Sequence, residues 1–481
     1  MAESFFTYES AVSRMFALGH ELAQTPSHKF DLAHMRALLD AMQHPERRFP
    51  SVLIAGTNGK GSTAATLASI LHASGLKTGL YTSPHLIRIN ERIRVNGQEI
   101  GDDDFARLHG EVDAAAEKLV ERGELPWHPS FFEMMTAIAF AHFAREKVEI
   151  AVLEVGMGGR LDATNVVEPR ISVITDISLD HQKFLGNTVG EIAGEKVGII
   201  RAGGVVVTLP QQPEANDVIG NTILELGARG VSAVPYVPPV SPGSGDYEVA
   251  RGGETLRAVS DEEPLAAEHT KENAEDAKKY IYRYPLNVMK HQIVVETVLV
   301  GRHQLRNVAL AIATAEELSK QGFVSITPHT IERGIRETRW PGRFQTVAPR
   351  PGWPEIVLDV AHNPAGAWAL RSALSERYGD RPLLFVFGAM RDKAISEMTE
   401  ILFPLAERVL ATRAENPRSA TPVEIQQAGA RTGTEIELAA DAASALEQAR
   451  KWAGARPENV IVVTGSIYLV GEAMQALKAR A

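Results

Sequence analysis

Short apolar runs rich in β-branched residues recur along the first half of the chain, at 51–56, 77–82, 150–155, 171–177 and 204–209. They alternate with segments at 62–75, 103–121, 131–146, 188–200 and 214–228, in which apolar residues return every three to four positions. Buried strands joined by helices give this alternation, so it predicts a largely parallel sheet covered by helices. The pattern stops at Val234. From there to about Tyr284 the chain is rich in Pro, Gly and charge, including Pro238-Pro239-Val240-Ser241-Pro242-Gly243-Ser244-Gly245, and reads as an inserted loop or small hairpin region, partly mobile. A helix-like stretch from Asn307 to Gln321 follows, and Trp340-Pro341-Gly342-Arg343 punctuates the chain. Beyond it, apolar runs at 355–361, 382–388, 408–413, 434–438 and 459–464 form a second strand–helix series. The expected fold is therefore α/β in two domains, one over 1–340 and a smaller, Rossmann-like one over 345–481. The first turn of the second series, Asp359-Val360-Ala361-His362-Asn363-Pro364, lacks the Gly-x-Gly-x-x-Gly fingerprint, so no dinucleotide is expected there.

Composition narrows the classes of function. The 481 residues suffice for two to four domains of about 100–200 residues each. A formal net charge of −10 argues against bulk attraction to nucleic acid or anionic lipid, so an anionic ligand must be held by local groups. With no cysteine, disulfides, zinc–thiolate sites and cysteine nucleophiles are excluded, and metal chemistry must use oxygen and nitrogen ligands. Met1 to Ala23 carries Glu3 and Glu9 and lacks a basic stretch followed by an apolar core. Neither a signal peptide nor a membrane span is expected, and the cytoplasm is the expected location.

The strongest chemical signal is Gly56-Thr57-Asn58-Gly59-Lys60-Gly61-Ser62-Thr63, between the first apolar run and the first helix-period segment. Glycines let backbone N–H groups turn toward an anion, the new helix adds the positive end of its dipole, and a lysine brings a full charge to the β- and γ-phosphates. A nucleoside triphosphate is the expected ligand. The spacing departs from the common phosphate loop: only Thr57 and Asn58 separate Gly56 from Gly59-Lys60, and Gly61 separates Lys60 from Ser62. Three further strand ends carry polar groups, in Thr82-Ser83-Pro84-His85, in Glu154-Val155-Gly156-Met157-Gly158-Gly159-Arg160, and in Asp180-His181. Ligands gather at the carboxyl ends of strands in open α/β sheets, so Ser83 and Glu154 are candidate oxygen ligands for Mg2+. His181 is a less expected ligand for a hard cation. Singly, each has an ordinary reading: Ser83 as a turn residue before proline, Glu154 as a solvated loop carboxylate, His181 as a capping or core histidine.

These motifs, with Glu91-Arg92-Ile93, Leu161-Asp162-Ala163-Thr164-Asn165, Gly194-Glu195-Lys196, His303-Gln304, Asn307, Pro341-Gly342-Arg343 and His362-Asn363-Pro364, resemble the folylpolyglutamate synthase and dihydrofolate synthase family of Mur-type amide ligases. The match runs in order over about residues 50 to 470. The resemblance implies a Mur-ligase-like, P-loop ATPase domain followed by a glutamate-ligase domain, and ATP-dependent amide formation between a pteroate or folate carboxylate and the amino group of L-glutamate. It places Thr57, Asn58, Gly59, Lys60, Gly61 and Ser62 around the phosphates, with Asn307, Arg343 and Asp359 as further nucleotide contacts. It places a pair of Mg2+ ions on Ser83, Glu154 and His181, and makes Lys196 a candidate for carbamylation. For the pterin it points to Ser130, Phe131, Phe132 and Glu133, and to Leu161, Asp162 and Ala163; for glutamate, to His362 and Ser466. Lys196 otherwise reads as part of a surface charge cluster with Glu191 and Glu195, and Phe131 and Phe132 as core residues of an apolar helix. The chain departs from the family at Val360, where glycine is usual after the aspartate, and at Gln345, where an acid is common. A monomer acting on small molecules is expected, with no nucleic-acid or membrane partner. Two other readings are a Mur-type ligase of cell-wall precursors and a catalytically silent nucleotide-binding relative.

Overall fold

The structure, a computed structural model, describes residues 7–19, 32–239, 248–249, 282–379, 381–454, 456 and 458–479. Two compact units emerge, Met1–Val237 with Arg306–Gly334, and Pro238–Leu305 with Ile335–Ala481.

The first unit is built on an eight-stranded sheet: β1 (Ser51–Ala55), β2 (Thr78–Tyr81), β3 (Ile93–Val95), β4 (Gln98–Glu99), β5 (Ile150–Glu154), β6 (Ile171–Ile174), β7 (Val205–Thr208) and β8 (Arg229–Ser232). Their order is β4-β3-β2-β5-β1-β6-β7-β8. From β2 to β8 the pairing is parallel, while β3 and β4 add an antiparallel edge. Every residue of β1, β2, β5 and β6 is buried, which is why these strands read as continuous apolar runs rather than as alternation. Helices cover both faces of such a sheet. In Asp102–Glu121 the buried residues Phe105, Leu108, Val112, Ala116 and Leu119 form one stripe, and Asp102, Asp103 and Asp104 oppose the positive end of the helix dipole. Register brings the strand ends level: Ile54 pairs with Glu154, Ala55 with Ile174, and Tyr81 with Leu153. The loops after β1, β2 and β6 therefore leave from the same edge at which Glu154 closes β5.

Several elements go beyond the sequence reading. The helices Tyr8–Ala17 and Leu32–Ala41, the β3–β4 ribbon and β8 were not expected. Arg94, Asn96 and Gln98 interrupt the apolar pattern of the ribbon, and β8 is an exposed edge strand with a polar sequence. The run 171–177 ends as a strand at Ile174, and the expected helix 188–200 is an α-helix only over Val189–Lys196 before tightening into a 3-10 turn at Val197–Ile199.

The second unit holds β9 (Glu248–Val249), β10 (Tyr282–Val288) and β11 (His291–Thr297), an antiparallel set. Its main sheet comprises β12 (Gln345–Val347), β13 (Glu355–Leu358), β14 (Leu383–Phe387), β15 (Ala406–Ala411), β16 (Glu435–Leu438) and β17 (Val460–Thr464). The order is β12-β13-β17-β14-β15-β16, parallel except for β12 against β13. This is the expected second α/β fold with one extra antiparallel edge strand. Most of the expected insertion, residues 240–247 and 250–281, lies outside the described residues. Residues 282–305 group with the second unit, whereas the sequence reading keeps them with the first. Among the described residues, no helix is long and apolar enough to cross a membrane.

Candidate active site

The phosphate loop turns at Gly59, whose φ of +89° lies in the left-handed region, and Lys60 is the first residue of the helix Lys60–Ala73. A Cβ at Gly59 would fall on the Asn307 carboxamide, so backbone conformation and crowding both demand glycine. Not all of the loop faces a ligand. The amides of Thr57 and Asn58 both donate to the Asp176 carbonyl, at 2.8 and 3.1 Å. Thr57 Oγ1 donates to the Ser178 carbonyl and accepts from the Ser178 amide, and Asn58 Nδ2 donates to Ser178 Oγ. Thr57 and Asn58 thus tie the loop to the end of β6. The first turn of the helix, Gly59 to Ser62, is where an anion would meet backbone amides.

Two lysines converge on one carbonyl. Lys60 Nζ donates to Gly56 O and Thr57 O, each at 3.1 Å, and Lys196 Nζ donates to Gly56 O at 2.8 Å. Lys196 is buried, and that burial, reinforced by Lys60, pulls its pKa from the ordinary lysine value down to about 7, against the opposing pull of Asp180 and Asp162. The glycines after β5 explain how the helix end carrying Lys196 comes so close. A Cβ at Gly159 would lie 2.8 Å from the carbonyl oxygens of both Glu195 and Lys196, and the Arg160 amide donates to Glu195 O. The surface-cluster reading of Lys196 is thereby corrected, because the side chain points inward.

At the neighbouring strand ends, the Ser83 amide donates to Glu154 Oε2 at 3.0 Å, and Glu154 is buried. His181 adopts a left-handed conformation (φ 50°) ahead of the short helix Gln182–Leu185, with Nε2 3.9 Å from Asp180 Oδ2. Among the described residues, no cluster of three or more His, Asp or Glu side chains is assembled. The donor set nevertheless suits Mg2+, a hard cation that takes one or two protein oxygens and completes its shell with phosphate and water. Glu154 closes β5 and Ser83 follows β2, the neighbouring strand, whereas His181 lies beyond the end of β6, on the far side of β1.

The residues expected around a pterin carry structural duties. Ser130 and Glu133 form a reciprocal cap on the helix Phe131–Arg145, with Glu133 Oε2 accepting from the Ser130 amide and hydroxyl at 2.8 and 2.7 Å. Phe131 is buried, stacked on Phe16, with the Arg92 guanidinium over its ring. Phe132 is half-buried, lies near Tyr81, and fills the space left by the missing side chain of Gly156. Asp162 is buried and accepts from the Met157 amide and from the Thr164 amide and hydroxyl; burial pushes its carboxyl pKa up. Ala163 is buried and Leu161 exposed.

In the second unit, Asp359 follows β13 and accepts from the Phe344 and Ala361 amides at 2.8 and 2.9 Å. Burial raises its pKa, against the pull of those amides and of Arg343. Both departures from the family pattern are accommodated. Val360 keeps a negative φ, so the turn does not require glycine, and Gln345 Oε1 accepts from the Gly342 amide, a role an acid would fill equally. Arg343 donates to Gly342 O and lies 6.0 Å from the Trp340 ring centre. His362 Nδ1 lies 2.9 Å from Val360 O, which fixes the proton on that nitrogen. Ser466 caps the helix Ile467–Lys478.

Sequence reasoning missed Asp176, Ser178, Gln211 and Arg306, which brace the phosphate loop. Asp176 lies near the end of the expected strand 171–177, shortly before Asp180-His181, and Arg306 precedes Asn307, so proximity to named motifs was the available signal.

Residues 342–467 match the family described as Mur ligase, glutamate ligase domain. The chain is 32% identical over 456 residues to the dihydrofolate synthase/folylpolyglutamate synthase of Bacillus subtilis, a match covering 93% of this chain and 95% of that protein. The structure of Mycobacterium tuberculosis folylpolyglutamate synthase complexed with ADP and AMPPCP aligns with a TM-score of 0.80 at 28% identity, covering 98% of this chain and 99% of that one. A complex described as FPGS-AMPPCP-folate aligns with a TM-score of 0.75 at 30% identity, covering 98% and 99%. These matches favour the folate branch over a ligase of cell-wall precursors or a silent nucleotide-binding relative. With similarity over nearly the full length of sequence and fold, this chain belongs to the folylpolyglutamate synthase/dihydrofolate synthase family of Mur-type amide ligases.

Proposed function

We propose that this chain is an ATP- and Mg2+-dependent ligase that joins L-glutamate to dihydropteroate and to reduced folate (poly)glutamates, releasing ADP and phosphate, and so performs both synthase reactions of its family. The observation that carries the reading is the meeting of Lys60 and Lys196 at Gly56 O, at the head of a glycine-turned helix. In support, the Bacillus subtilis relative bears the names of both activities, and solved relatives are described with ADP, AMPPCP and folate.

The chemistry asks two anions to meet. A folate-type carboxylate oxygen attacks the γ-phosphorus, the bond from that phosphorus to the β,γ-bridging oxygen breaks, ADP leaves with the bridging oxygen, and an acyl phosphate is formed. The neutral amine of glutamate then attacks the acyl carbon, phosphate departs, and an amide forms with loss of the amine proton. The first step needs positive charge on the transferring phosphoryl group, which Lys60 and the amides of Gly59 to Ser62 supply. Ser83, Glu154 and His181 would hold Mg2+, as a pair of ions, which supplies further charge neutralisation at the phosphates. We assign Asn307, Arg343 and Asp359 to the nucleotide, the half-buried Phe132 and exposed Leu161 to the pterin with Ser130, Phe131, Glu133, Asp162 and Ala163 as their frame, and His362 and Ser466 to glutamate. An amine with a pKa near 7 is substantially neutral at neutral pH and can add to CO2 with loss of a proton, so carbamylation of Lys196 belongs to this proposal. It would turn a buried cation beside Lys60 into an anion. The functional division at 1–340 and 345–481, a monomeric state, the absence of nucleic-acid and membrane partners, and a cytoplasmic location complete the reading.

The test is incubation with ATP, Mg2+, L-glutamate and either dihydropteroate or tetrahydrofolate, following ADP and product mass. Glutamate-dependent ADP and a product one glutamyl residue heavier are expected with each pterin; no such ADP with either would overturn the reading.

A further inference from the structure

The segment after β6 does more than lead to His181. The carboxylate of Asp176 receives a forked grip from Arg306, with Nη2 at 2.6 Å and Nε at 3.1 and 3.2 Å. Arg306 Nη2 also donates to Pro210 O at 3.0 Å. Gln211 reads the same segment from its other side, its carboxamide accepting from the Ile177 amide and donating to the Thr175 carbonyl. On the loop side, the Asp176 carbonyl takes the amides of Thr57 and Asn58. The next residue of the Arg306 helix, Asn307, lies against Gly59, where the phosphate loop becomes helix. Adjacent residues of one helix thus lie at the Asp176 anchor and at the Gly59 turn.

We infer that Asp176 and Arg306 form a positioning pair for the phosphate cradle, acting through the Asp176 main-chain carbonyl and the loop amides it anchors. The inference rests on the ATP-binding reading above. An isolated surface ion pair contributes little, but this one is forked, two-thirds shielded from solvent (30% and 34% exposed) and joined to a third acceptor. The planar guanidinium is what permits a forked grip together with the bond to Pro210 O; an ammonium on a flexible stem lacks that geometry. Loss of the pair removes one of the two side-chain restraints on this segment, leaving Gln211, and loosens the loop that the Asp176 carbonyl anchors. The ligand affected is the nucleotide rather than glutamate.

The experiment measures ADP binding with Mg2+ by calorimetry, alongside steady-state kinetics, for wild type, Arg306→Met, Arg306→Lys, Asp176→Asn and the double variant Asp176→Asn/Arg306→Met. Expected are a loss of ADP affinity of about tenfold in Arg306→Met and Asp176→Asn, a matching rise in KM for ATP, and a glutamate KM within about twofold of wild type. The double variant should bind no more weakly than the worse single, since the two residues act as one unit, and Arg306→Lys should recover only part of the affinity. ADP affinity within about twofold of wild type in both single variants, additive losses in the double, or equal rises in every KM would overturn the inference. Should Arg306→Met fail to fold, Arg306→Lys and Asp176→Asn carry the same decision. A wild type that binds ADP yet transfers no glutamate would refute the proposed reaction and leave the positioning pair standing.

Discussion

The carboxyl edges of the two parallel sheets handle their polar groups in opposite ways. At the edge of the first sheet, Lys60 and Lys196 share one carbonyl and Glu154 is buried beside Ser83. Burial of an ammonium, reinforced by the like charge of Lys60, draws the Lys196 pKa down to about 7. At the edge of the second sheet the same kinds of residue are spent on their own backbone. Asp359 takes the Phe344 and Ala361 amides, Asn363 caps the helix Pro364–Tyr378, and Ser466 caps Ile467–Lys478. The contrast teaches where chemistry is stored. A cation cluster that is unfavourable alone is relieved by an incoming polyanion, whereas Asp359 and Ser466 would serve a ligand with oxygens already engaged by backbone amides.

The largest effect that would break this comparison is at Lys60. Lys60→Met should lower kcat by about a thousandfold in an ADP-release assay with little change in Tm, because the charge acts on the transferring phosphoryl group. A loss below about tenfold would mean that the first edge does not concentrate the catalytic charge. Next comes Glu154→Gln, which keeps shape and removes charge. It should cut kcat/KM by about a hundredfold and raise the Mg2+ concentration for half-maximal rate; an unchanged Mg2+ dependence would remove Glu154 from the metal. At Lys196 the prediction is about stability. Its folded pKa of about 7 lies below the unfolded value of 10.5, so between these the unfolded chain binds more protons and stability rises with pH. The destabilising contribution is fully present below pH 7 and fades as pH climbs toward 10.5. Lys196→Met should therefore raise Tm most at and below neutral pH, with the gain shrinking toward pH 10, in bicarbonate-free buffer; a pH-independent gain would count against the buried ammonium. The smallest effect is on the second edge. Ser466→Ala should cost about 1 kcal/mol in denaturant unfolding from the lost cap. A rise in glutamate KM beyond that would show that this edge also binds substrate, and would sharpen the comparison by making one capped residue serve two ends.

Much of the fold and part of the site are legible in the amino-acid sequence. The apolar runs place the central strands to within a residue or two at most ends, because a strand buried on both faces has to be apolar throughout. The turn at Gly59 and the helix start at Lys60 are readable because a glycine-rich stretch between an apolar run and a helix-period segment marks a left-handed turn there. What escapes are elements whose sequence obeys edge rather than core rules, such as β3, β4, β8 and β12, and side chains whose work depends on a distant partner. In the sequence Glu133 is read as a pterin contact; the Ser130 geometry shows that it also caps its helix. Asp176 and Arg306 are separated by 130 positions, and no local pattern links them.

The sequence by itself determined the two α/β folds, the glycine turn after β1 and the family, because each is written in local periodicity or in contiguous motifs. Only the tertiary structure decided that Lys196 points inward to Gly56 O, that Thr57 and Asn58 spend their amides on Asp176, and that Arg306 braces them. The physical reason is that pKa values, loop geometry and the partners of buried polar groups are set by residues far apart in the chain, brought level at one edge by strand register.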